Sequence, residues 1–357
     1  MGQGSASAGP HLDPVTGALT FVVADEPGVR PLRVWYHLRD FGDDPKFWPC
    51  PGGWSATVPA PPVDRLEYLL VLANPDGSEQ MVLDPANPNR VAGVFGDHSV
   101  VELPSYRAPH WLEADSAGWD TRPFRTRTRP ELIGQLCSPA GTPDEDELSL
   151  LVVHDGPEYA NYARLLDYLG WARAREPALR CRVLLLGPGD RNREYAANTD
   201  YAHMLVTVAI PQARELAATA APVLGVGASL GALSLLHAAV TYPGTFAGLF
   251  CQSGSFFLPA FDSHERRFEF YDRVTELVAR FDAEPGRLAG LQVALTCGLG
   301  EENLDNNRAM ADRLHALGVP VTITEGRDGH SYTAWRDLLH PALADLMRRI
   351  WRLPAAG

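Results

Sequence analysis

The chain has 357 residues, a formal net charge of −13 and a hydrophobic content of 45%. The acidic balance argues against nucleic acid and anionic membranes as main partners, and the hydrophobic content argues against a disordered chain. At this length two domains are expected. The five cysteines are scattered and lack metal-binding spacing, which predicts reduced thiols and no zinc site.

The N-terminal part of the chain predicts a short tail followed by a β domain. Residues 1–17 are rich in Gly, Ser, Ala and Pro, so we expect them to be disordered, and they lack the features of a signal peptide. No run of about 18 apolar residues occurs anywhere, so a cytoplasmic protein is expected. Residues 18–105 contain short runs such as TFVVAD and RLEYLLVLA between turns, which predict a small immunoglobulin-like β-sandwich.

The pattern changes after a Pro- and Arg-rich stretch, residues 106–130, which is predicted to be a linker. From 131 to 357, apolar strands alternate with helices, and this alternation predicts a doubly wound, mainly parallel sheet covered on both faces. The predicted strands are ELSLLVVHDG, ALRCRVLLLGPGD, APVLGVGAS, FAGLFCQSGS, LQVALTCGLG and VPVTITEG, and the predicted helices include YARLLDYLGWAR, NRAMADRLHALG and AWRDLLHPALADLMRRIW.

Ser229 lies at the centre of a Gly-x-Ser-x-Gly pattern in the segment LGVGASLGALS. A predicted strand precedes it and a predicted helix follows it, which is the context of a nucleophilic serine on a sharp turn. Gly227 and Gly231 are small where strand and helix cross, and the helix N-terminus places a positive dipole near the serine. The alternative interpretation is an ordinary turn with a solvent-facing serine.

A nucleophilic serine needs a base, and the base needs an acid to orient it. In folds of this class the chain order is serine, acid, histidine. His330 follows the final predicted strand and precedes the last helix, so it is the predicted base. Three carboxylates follow the strand LQVALTC. Glu301 is nearest to the strand end and is the predicted acid, with Glu302 and Asp305 as alternatives.

An oxyanion hole requires two backbone N–H groups aimed at the developing charge. Leu230, the residue after the serine, would supply one. The second is expected in the loop HDGPEY, from Gly156, or from Glu158 if the loop folds back, because Pro157 has no N–H.

Charged and aromatic residues at two further strand ends are candidates for contact with an anionic substrate. One group lies in GDRNREY, which could equally be a solvated loop, and the other in FFLPAFDSHERRFEF, which could be an ordinary amphipathic helix. The candidate residues are Arg191, Arg193, Glu194, Phe256, Arg266 and Arg267.

At these residues the chain resembles the enterochelin esterase family of α/β-hydrolases, which cleave the lactone esters of catecholate siderophores. The resemblance lies in residues 225–257 and in HDG, DRNREY, GLGEEN and DGHSYTAWR, and it covers about residues 120 to 350. LDPANPNR and VVELPSYRAPHWL resemble the β-sandwich that precedes the hydrolase in these enzymes. The resemblance implies roles for Ser229, Glu301 and His330 as nucleophile, acid and base. It implies a small-molecule ester as partner, no resident metal or cofactor, and iron only as part of a substrate.

Two other functions stay open, as does the oligomeric state. The broad family includes feruloyl and acetylxylan esterases, so a carbohydrate esterase with a sugar-binding sandwich is the first alternative, favoured by exposure of Trp48 or Trp54. The second is a non-catalytic binding module on the same fold. The chain also departs from the family pattern at Pro157, and at Phe256 and Phe257, where many relatives have Trp.

Overall fold

The computed structural model describes residues 8–38, 45–128, 131–280 and 285–351. The chain divides into two compact units. The first unit comprises Met1–Arg107 and two short later segments, Gly298–Glu302 and Arg327–Ser331. The second comprises Ala108–Cys297, Asn303–Gly326 and Tyr332–Gly357. The segments that carry the predicted acid and base therefore belong to the first unit, whereas the predicted nucleophile belongs to the second.

The first unit contains two antiparallel sheets. Its strands are β1 (Gly9–Leu12), β2 (Leu19–Ala24), β3 (Arg30–Trp35), β4 (Trp48–Cys50), β5 (Gly53–Val58), β6 (Arg65–Ala73), β7 (Glu79–Val82), β8 (Arg90–Val91) and β9 (His98–Glu102). One sheet has the order β1-β2-β5-β4, and the other has the order β3-β6-β9-β8 with β7 paired to β6. The predicted β-sandwich is confirmed.

The core of the sandwich is built by alternate residues of strands from both sheets. Leu19 and Phe21 of β2 share this core with Leu66 and Tyr68 of β6, and each is at most 1% exposed. The hydroxyl of Tyr68 donates a hydrogen bond to Asp84 at 2.7 Å. The polar tip of the buried tyrosine is thereby satisfied, and the loop DPANPNR is tied to the core.

Two segments differ from the sequence-based expectation. Strand β1 lies within the segment predicted to be disordered, because residues 9–12 pair with residues 19–22 of β2; residues 1–7 lie outside the described residues. Within the predicted linker, Trp119–Arg125 forms strand β10, which pairs along its whole length with Ile133–Pro139; residues 129 and 130 are not described. Both are edge strands, held by main-chain hydrogen bonds that side-chain composition does not reveal.

Among the described residues, the second unit contains an eight-stranded sheet; the last residue of its strand β16, Gly298, is counted in the first unit. After β10 its strands are β11 (Ile133–Pro139), β12 (Leu148–His154), β13 (Cys181–Gly187), β14 (Thr219–Ala228), β15 (Phe246–Gln252), β16 (Gln292–Gly298) and β17 (Val321–Gly326). The order is β10-β11-β13-β12-β14-β15-β16-β17. Strands β13, β12, β14, β15 and β16 are parallel, and β10 and β11 are antiparallel. The α/β-hydrolase type of sheet is confirmed.

Both faces of this sheet are buried, which explains its continuous apolar strands. In β12, Leu150 and Val152 face one core, whereas Leu151 and Val153 face another, and all four are fully buried. The chain passes from β12 to β13, which is the neighbour of β12 on one side, and then to β14, which is the neighbour of β12 on the other side. The carboxyl ends of β12 and β14 therefore flank the switch point at which open sheets of this kind bind ligands.

Helices cover the two faces of the sheet. They are α1 (Gly156–Asn161), α2 (Leu165–Arg175), α3 (Arg191–Tyr195), α4 (Thr199–Met204), α5 (Ile210–Leu216), α6 (Leu230–Thr241), α7 (Tyr271–Arg280), α8 (Leu304–Ala316), α9 (Tyr332–Asp337) and α10 (Ala342–Trp351). The stretch AWRDLLHPALADLMRRIW, predicted to be helical, is divided between α9 and α10, because Pro341 interrupts helical hydrogen bonding. Among the described residues, none of the helices has the length and apolar character needed to cross a membrane.

Candidate active site

Ser229 occupies the single residue between the end of β14 and the start of α6, as the sequence predicted. Its backbone has φ 54° and ψ −126°, a conformation that a residue with a side chain rarely adopts. A Cβ atom on Gly227 would lie 2.8 Å from the carbonyl carbon of Gly231, so the turn is tight enough to require glycine there. Strain of about 1–3 kcal/mol at one serine is typical of a nucleophile held at the apex of a sharp turn.

The backbone around Ser229 is fixed by the last residue of β15 and by the segment that follows this strand. The N–H of Ser229 donates to the carbonyl of Gln252 at 2.9 Å, and the N–H of Ser255 donates to the carbonyl of Ser229 at 3.2 Å. The two hydroxyls, Ser229 Oγ and Ser255 Oγ, are 3.1 Å apart. Asn307 bonds both the N–H and the carbonyl of Gly254, which holds this segment in place. Sequence reasoning missed Ser255, although its position at a strand end was a usable signal.

The two predicted oxyanion donors are each the first residue of a helix. Leu230 begins α6 and Gly156 begins α1, so neither N–H has an acceptor within its own helix. A Cβ atom on Gly156 would lie 2.6 Å from the Cα of Leu185, so a side chain would not fit there. Pro157 is the second residue of α1 and has no N–H to donate. The assignment of Leu230 and Gly156 as donors remains a prediction.

Asp155, which sequence reasoning did not single out, binds one of the predicted substrate residues. Its buried carboxylate receives two hydrogen bonds from Arg191, at 2.9 and 2.8 Å. Burial opposes the positive charge of Arg191, but the carboxylate of Asp155 outweighs it and raises the pKa of the guanidinium. Much of the charge of Arg191 is thus already neutralised. Nearby, Glu194 accepts a hydrogen bond from the N–H of Gly189 at 2.9 Å and so stabilises its own turn.

The other predicted substrate residues differ in exposure. Phe256 is fully buried in the core of the second unit, where its ring fills the apolar interior, and its assignment as a contact residue remains a prediction. Arg193 is exposed in α3. Arg266 and Arg267 are exposed in a 3₁₀ turn, Ser263–Arg267. These three arginines remain candidates for an anionic ligand.

Glu301 and His330 lie together in the first unit. The His330 Nδ1 atom is 2.8 Å from Glu301 Oε2, and Glu301 Oε1 accepts a hydrogen bond from the N–H of Gly298 at 2.7 Å. Glu301 is 1% exposed, and the side chain of His330 is 19% exposed. Because a carboxylate can only accept, His330 carries its proton on Nδ1, which is the tautomer that a general base needs.

The two rival carboxylates have other partners. Glu302 lies 3.5 Å from His37 Nε2, and Asp305 forms an ion pair with Arg308 one turn further along α8, at 3.8 Å. Of the three carboxylates that the sequence left open, Glu301 has the 2.8 Å hydrogen bond to His330. Glu301 and His330 follow the ends of β16 and β17, two strands of the sheet that also contains β14.

His154, the last residue of β12, is a buried histidine close to the predicted nucleophile's turn. Its Nδ1–H donates to the carbonyl of Gly231 at 3.0 Å, and its ring stacks on Tyr195 at 4.6 Å. Burial lowers the pKa of His154 to about 4. A histidine in an unfolded chain titrates near pH 6.5. Between these values the unfolded state binds more protons, so stability is lost as the pH falls.

We expect the difference between the pKa of His154 in the folded chain and in the unfolded chain to make the free energy of unfolding depend on pH. From about pH 7.5 to about pH 5, the free energy of unfolding of the native chain should fall by about 2 kcal/mol more than that of His154→Gln, whose amide still offers a donor to Gly231. Urea unfolding at the two pH values measures this. His203→Gln, at an exposed position, is the control. Equal pH slopes for the native chain and His154→Gln would contradict the prediction.

Comparison with known proteins found two relatives with a described activity. An iron(III) enterobactin esterase from Escherichia coli O6:H1 is 25% identical over 289 residues, which cover 76% of this chain and 69% of the relative. A second iron(III) enterobactin esterase, from Escherichia coli K12, is 23% identical over the same length. No protein-family model matches the chain.

Solved structures match the chain over nearly its whole length. A ferric enterobactin esterase from Salmonella typhimurium has a TM-score of 0.75 at 19% identity, covering 96% of each chain. The enterobactin esterase from Shigella flexneri, crystallised in the presence of enterobactin, has a TM-score of 0.74 at 20% identity, covering 97% of this chain and 96% of the other. These likenesses include the sandwich as well as the hydrolase sheet.

The chain is thus similar to iron(III) enterobactin esterases over about three quarters of its length. The resemblance predicted from the sequence is confirmed, and the protein is a carboxylic ester hydrolase. A ferulic acid esterase structure also matches, with a TM-score of 0.56, but over 65% of this chain. That match leaves out about a third of the chain, whereas the enterobactin esterase structures match nearly all of it.

Proposed function

We propose that this protein hydrolyses the lactone esters of a catecholate-type siderophore through Ser229, Glu301 and His330. The observation that carries the proposal is the left-handed backbone of Ser229 at its Gly-x-Ser-x-Gly turn. The hydrogen bond between Glu301 and His330 supports it, since it orients a base at a later strand end of the same sheet. The named substrates of the relatives, iron(III) enterobactin and enterobactin, supply the substrate class.

In the first half of the proposed reaction, Ser229 Oγ attacks the ester carbonyl and His330 Nε2 accepts the hydroxyl proton. The negative charge of Glu301 stabilises the imidazolium that forms. The N–H groups of Leu230 and Gly156 would stabilise the oxyanion of the tetrahedral intermediate. His330 then returns the proton to the departing alkoxide, which leaves an acyl group on Ser229.

In the second half, water attacks the acyl-enzyme. His330 takes a proton from the water, the same N–H groups bind the second oxyanion, and the proton passes to Ser229 Oγ as the acid product leaves. The protein supplies no metal in this scheme, and iron would enter as part of the substrate.

A ferric catecholate carries several negative charges, and the chain itself has a net charge of −13. Binding must therefore depend on local positive charge. Arg193, Arg266 and Arg267 are the exposed candidates, because Arg191 is already bound by Asp155. A cytoplasmic location is part of the proposal, and it agrees with five free cysteines, four of them buried.

The carbohydrate esterase alternative has one observation in its favour. Trp48, on strand β4, is 69% exposed, as an aromatic platform for a sugar would be. Trp54, however, is partly buried and packs against the core of the sandwich, so the two rings do not form a joint platform.

The substrate class is tested by mass spectrometry of product mixtures. The enzyme is incubated separately with an iron-loaded catecholate trilactone, the iron-free trilactone and feruloylated xylan fragments, and the Ser229→Ala variant serves as the blank. We expect linear and monomeric acyl-serine products from a trilactone. Cleavage of the xylan fragments alone would overturn the siderophore proposal and favour the alternative.

A further inference from the structure

The first unit contains a buried charged cluster that the proposed reaction does not use. It consists of Arg65 and Glu67, which point to the same side of strand β6, together with Asp328 and Ser331 from the segment that carries His330. We call these four residues the β6 clamp. The side chains of Arg65, Glu67 and Asp328 are 3%, 16% and 14% exposed. Charged groups are rarely buried to this extent without a partner or a role.

Arg65 is the centre of the β6 clamp. Its Nη2 atom donates to Asp328 Oδ2 at 3.0 Å and to Glu67 Oε1 at 3.1 Å, and its Nε atom donates to Asp328 Oδ2 at 3.3 Å. A planar guanidinium with several fixed donors can join two carboxylates in this way, which the point charge of a lysine does less well.

The β6 clamp contacts the chain on both sides of His330. Asp328 lies two residues before His330 and is bound by Arg65. Ser331 follows His330 directly and donates to Glu67 Oε1 at 3.0 Å. The N–H of Asp64, next to Arg65, also donates to the carbonyl of Arg327 at 2.6 Å. Three of the five positions of the segment are thus attached, two of them to β6 and one to Asp64, the residue before β6.

The same segment is linked to the one that carries the acid. The N–H of Gly300 donates to the carbonyl of Asp328 at 3.1 Å, while Glu301 bonds His330. Burial raises the pKa of Asp328 to about 6, with Glu67 adding to the effect and Arg65 opposing it. Removal of Arg65 alone would therefore leave two neighbouring carboxylates without their common counter-ion.

We propose that Arg65 and Glu67 of the sandwich are positioning residues that hold the His330 segment in the orientation needed for proton transfer. The inference rests on the proposed role of His330 as the base. It gives the sandwich a part in the chemistry that does not depend on contact with substrate.

The test uses the double variant Arg65→Met/Asp328→Asn, which removes both charges of the Arg65–Asp328 ion pair and leaves Glu67 its contact with His98 Nδ1, at 3.4 Å. We expect kcat for p-nitrophenyl acetate to fall by about 10- to 100-fold with little change in KM, because a small misplacement of a catalytic group has costs of this size. Arg65→Lys should recover part of the loss. The matched control is Arg33→Met, which breaks a partly exposed ion pair with Glu79 in the same sheet and should leave kcat unchanged.

Circular dichroism and thermal unfolding establish that each variant is folded. If the double variant does not fold, Ser331→Ala removes one hydrogen bond of the β6 clamp and should lower kcat in the same direction. A folded double variant with native kcat, or a loss confined to KM, would overturn the inference. So would an equal loss in Arg33→Met.

The Ser229→Ala variant separates this inference from the proposed function. Full activity of Ser229→Ala would overturn the proposed function as well. An inactive Ser229→Ala beside a fully active double variant would overturn only the proposed role of the β6 clamp.

Discussion

Replacing Ser229 with alanine is expected to lower kcat/KM for p-nitrophenyl acetate by about 10⁴- to 10⁶-fold, because no acyl-enzyme can form without the hydroxyl. The residual rate would come from the backbone donors and from substrate binding. The change removes one oxygen from a half-buried site, and the alanine must adopt the same left-handed backbone, so stability should change little. Steady-state rates and thermal unfolding measure the two effects separately.

The control for this experiment is another serine of helix α6. Ser234 is 2% exposed and lies five residues after Ser229. Ser234→Ala should retain nearly full activity, because the side chain of Ser234 is buried and has no part in the proposed reaction. A folded Ser229→Ala with native turnover would remove Ser229 from the mechanism, and a comparable loss in Ser234→Ala would point to a general effect on the helix.

The second large effect is expected for Glu301→Gln, which should lower kcat by about 10²- to 10⁴-fold. The amide oxygen can still accept the N–H of Gly298, so the segment should keep its shape. The amide lacks the negative charge that stabilises the imidazolium, and its NH₂ group favours the wrong tautomer if it faces His330 Nδ1. Steady-state kinetics of the folded variant test this.

Glu302→Gln is the matched control, because it makes the same chemical change at the next residue. Glu302 lies 3.5 Å from His37 Nε2, so its variant should keep most of the native kcat. If Glu302→Gln lost far more activity than Glu301→Gln, the acid would have to be reassigned, and the Glu301–His330 hydrogen bond would be structural only.

Local sequence was a good guide wherever a pattern has a strong physical cause. The apolar strands of the sheet were recognisable because both faces are buried, and the turn at Ser229 was recognisable because strand and helix cross closely at two glycines. Edge strands were harder to see. Strands β1 and β10 are held by main-chain pairing, and the side chains of β10, with Pro123 among them, do not have a strand pattern.

The roles of individual side chains were harder to predict from the sequence than the positions of helices and strands. Phe256 was predicted to contact substrate, and the structure places its ring in the buried core; Arg191 was predicted to bind an anionic substrate, and its guanidinium is bound by Asp155. Neither environment could be predicted from the sequence. Residue type indicates what a group can do, whereas burial and partners depend on segments far away in sequence.

The two-part organisation and the fold class could be predicted from the sequence alone, which also predicted a catalytic serine, acid and histidine in that order. These predictions follow from local hydrophobic periodicity, turn residues and strand ends. Only the folded arrangement showed that Glu301 bonds His330, and that Arg65 and Glu67 contact the His330 segment from a strand more than 250 residues earlier. Such contacts arise when the chain folds back on itself, so no local pattern records them.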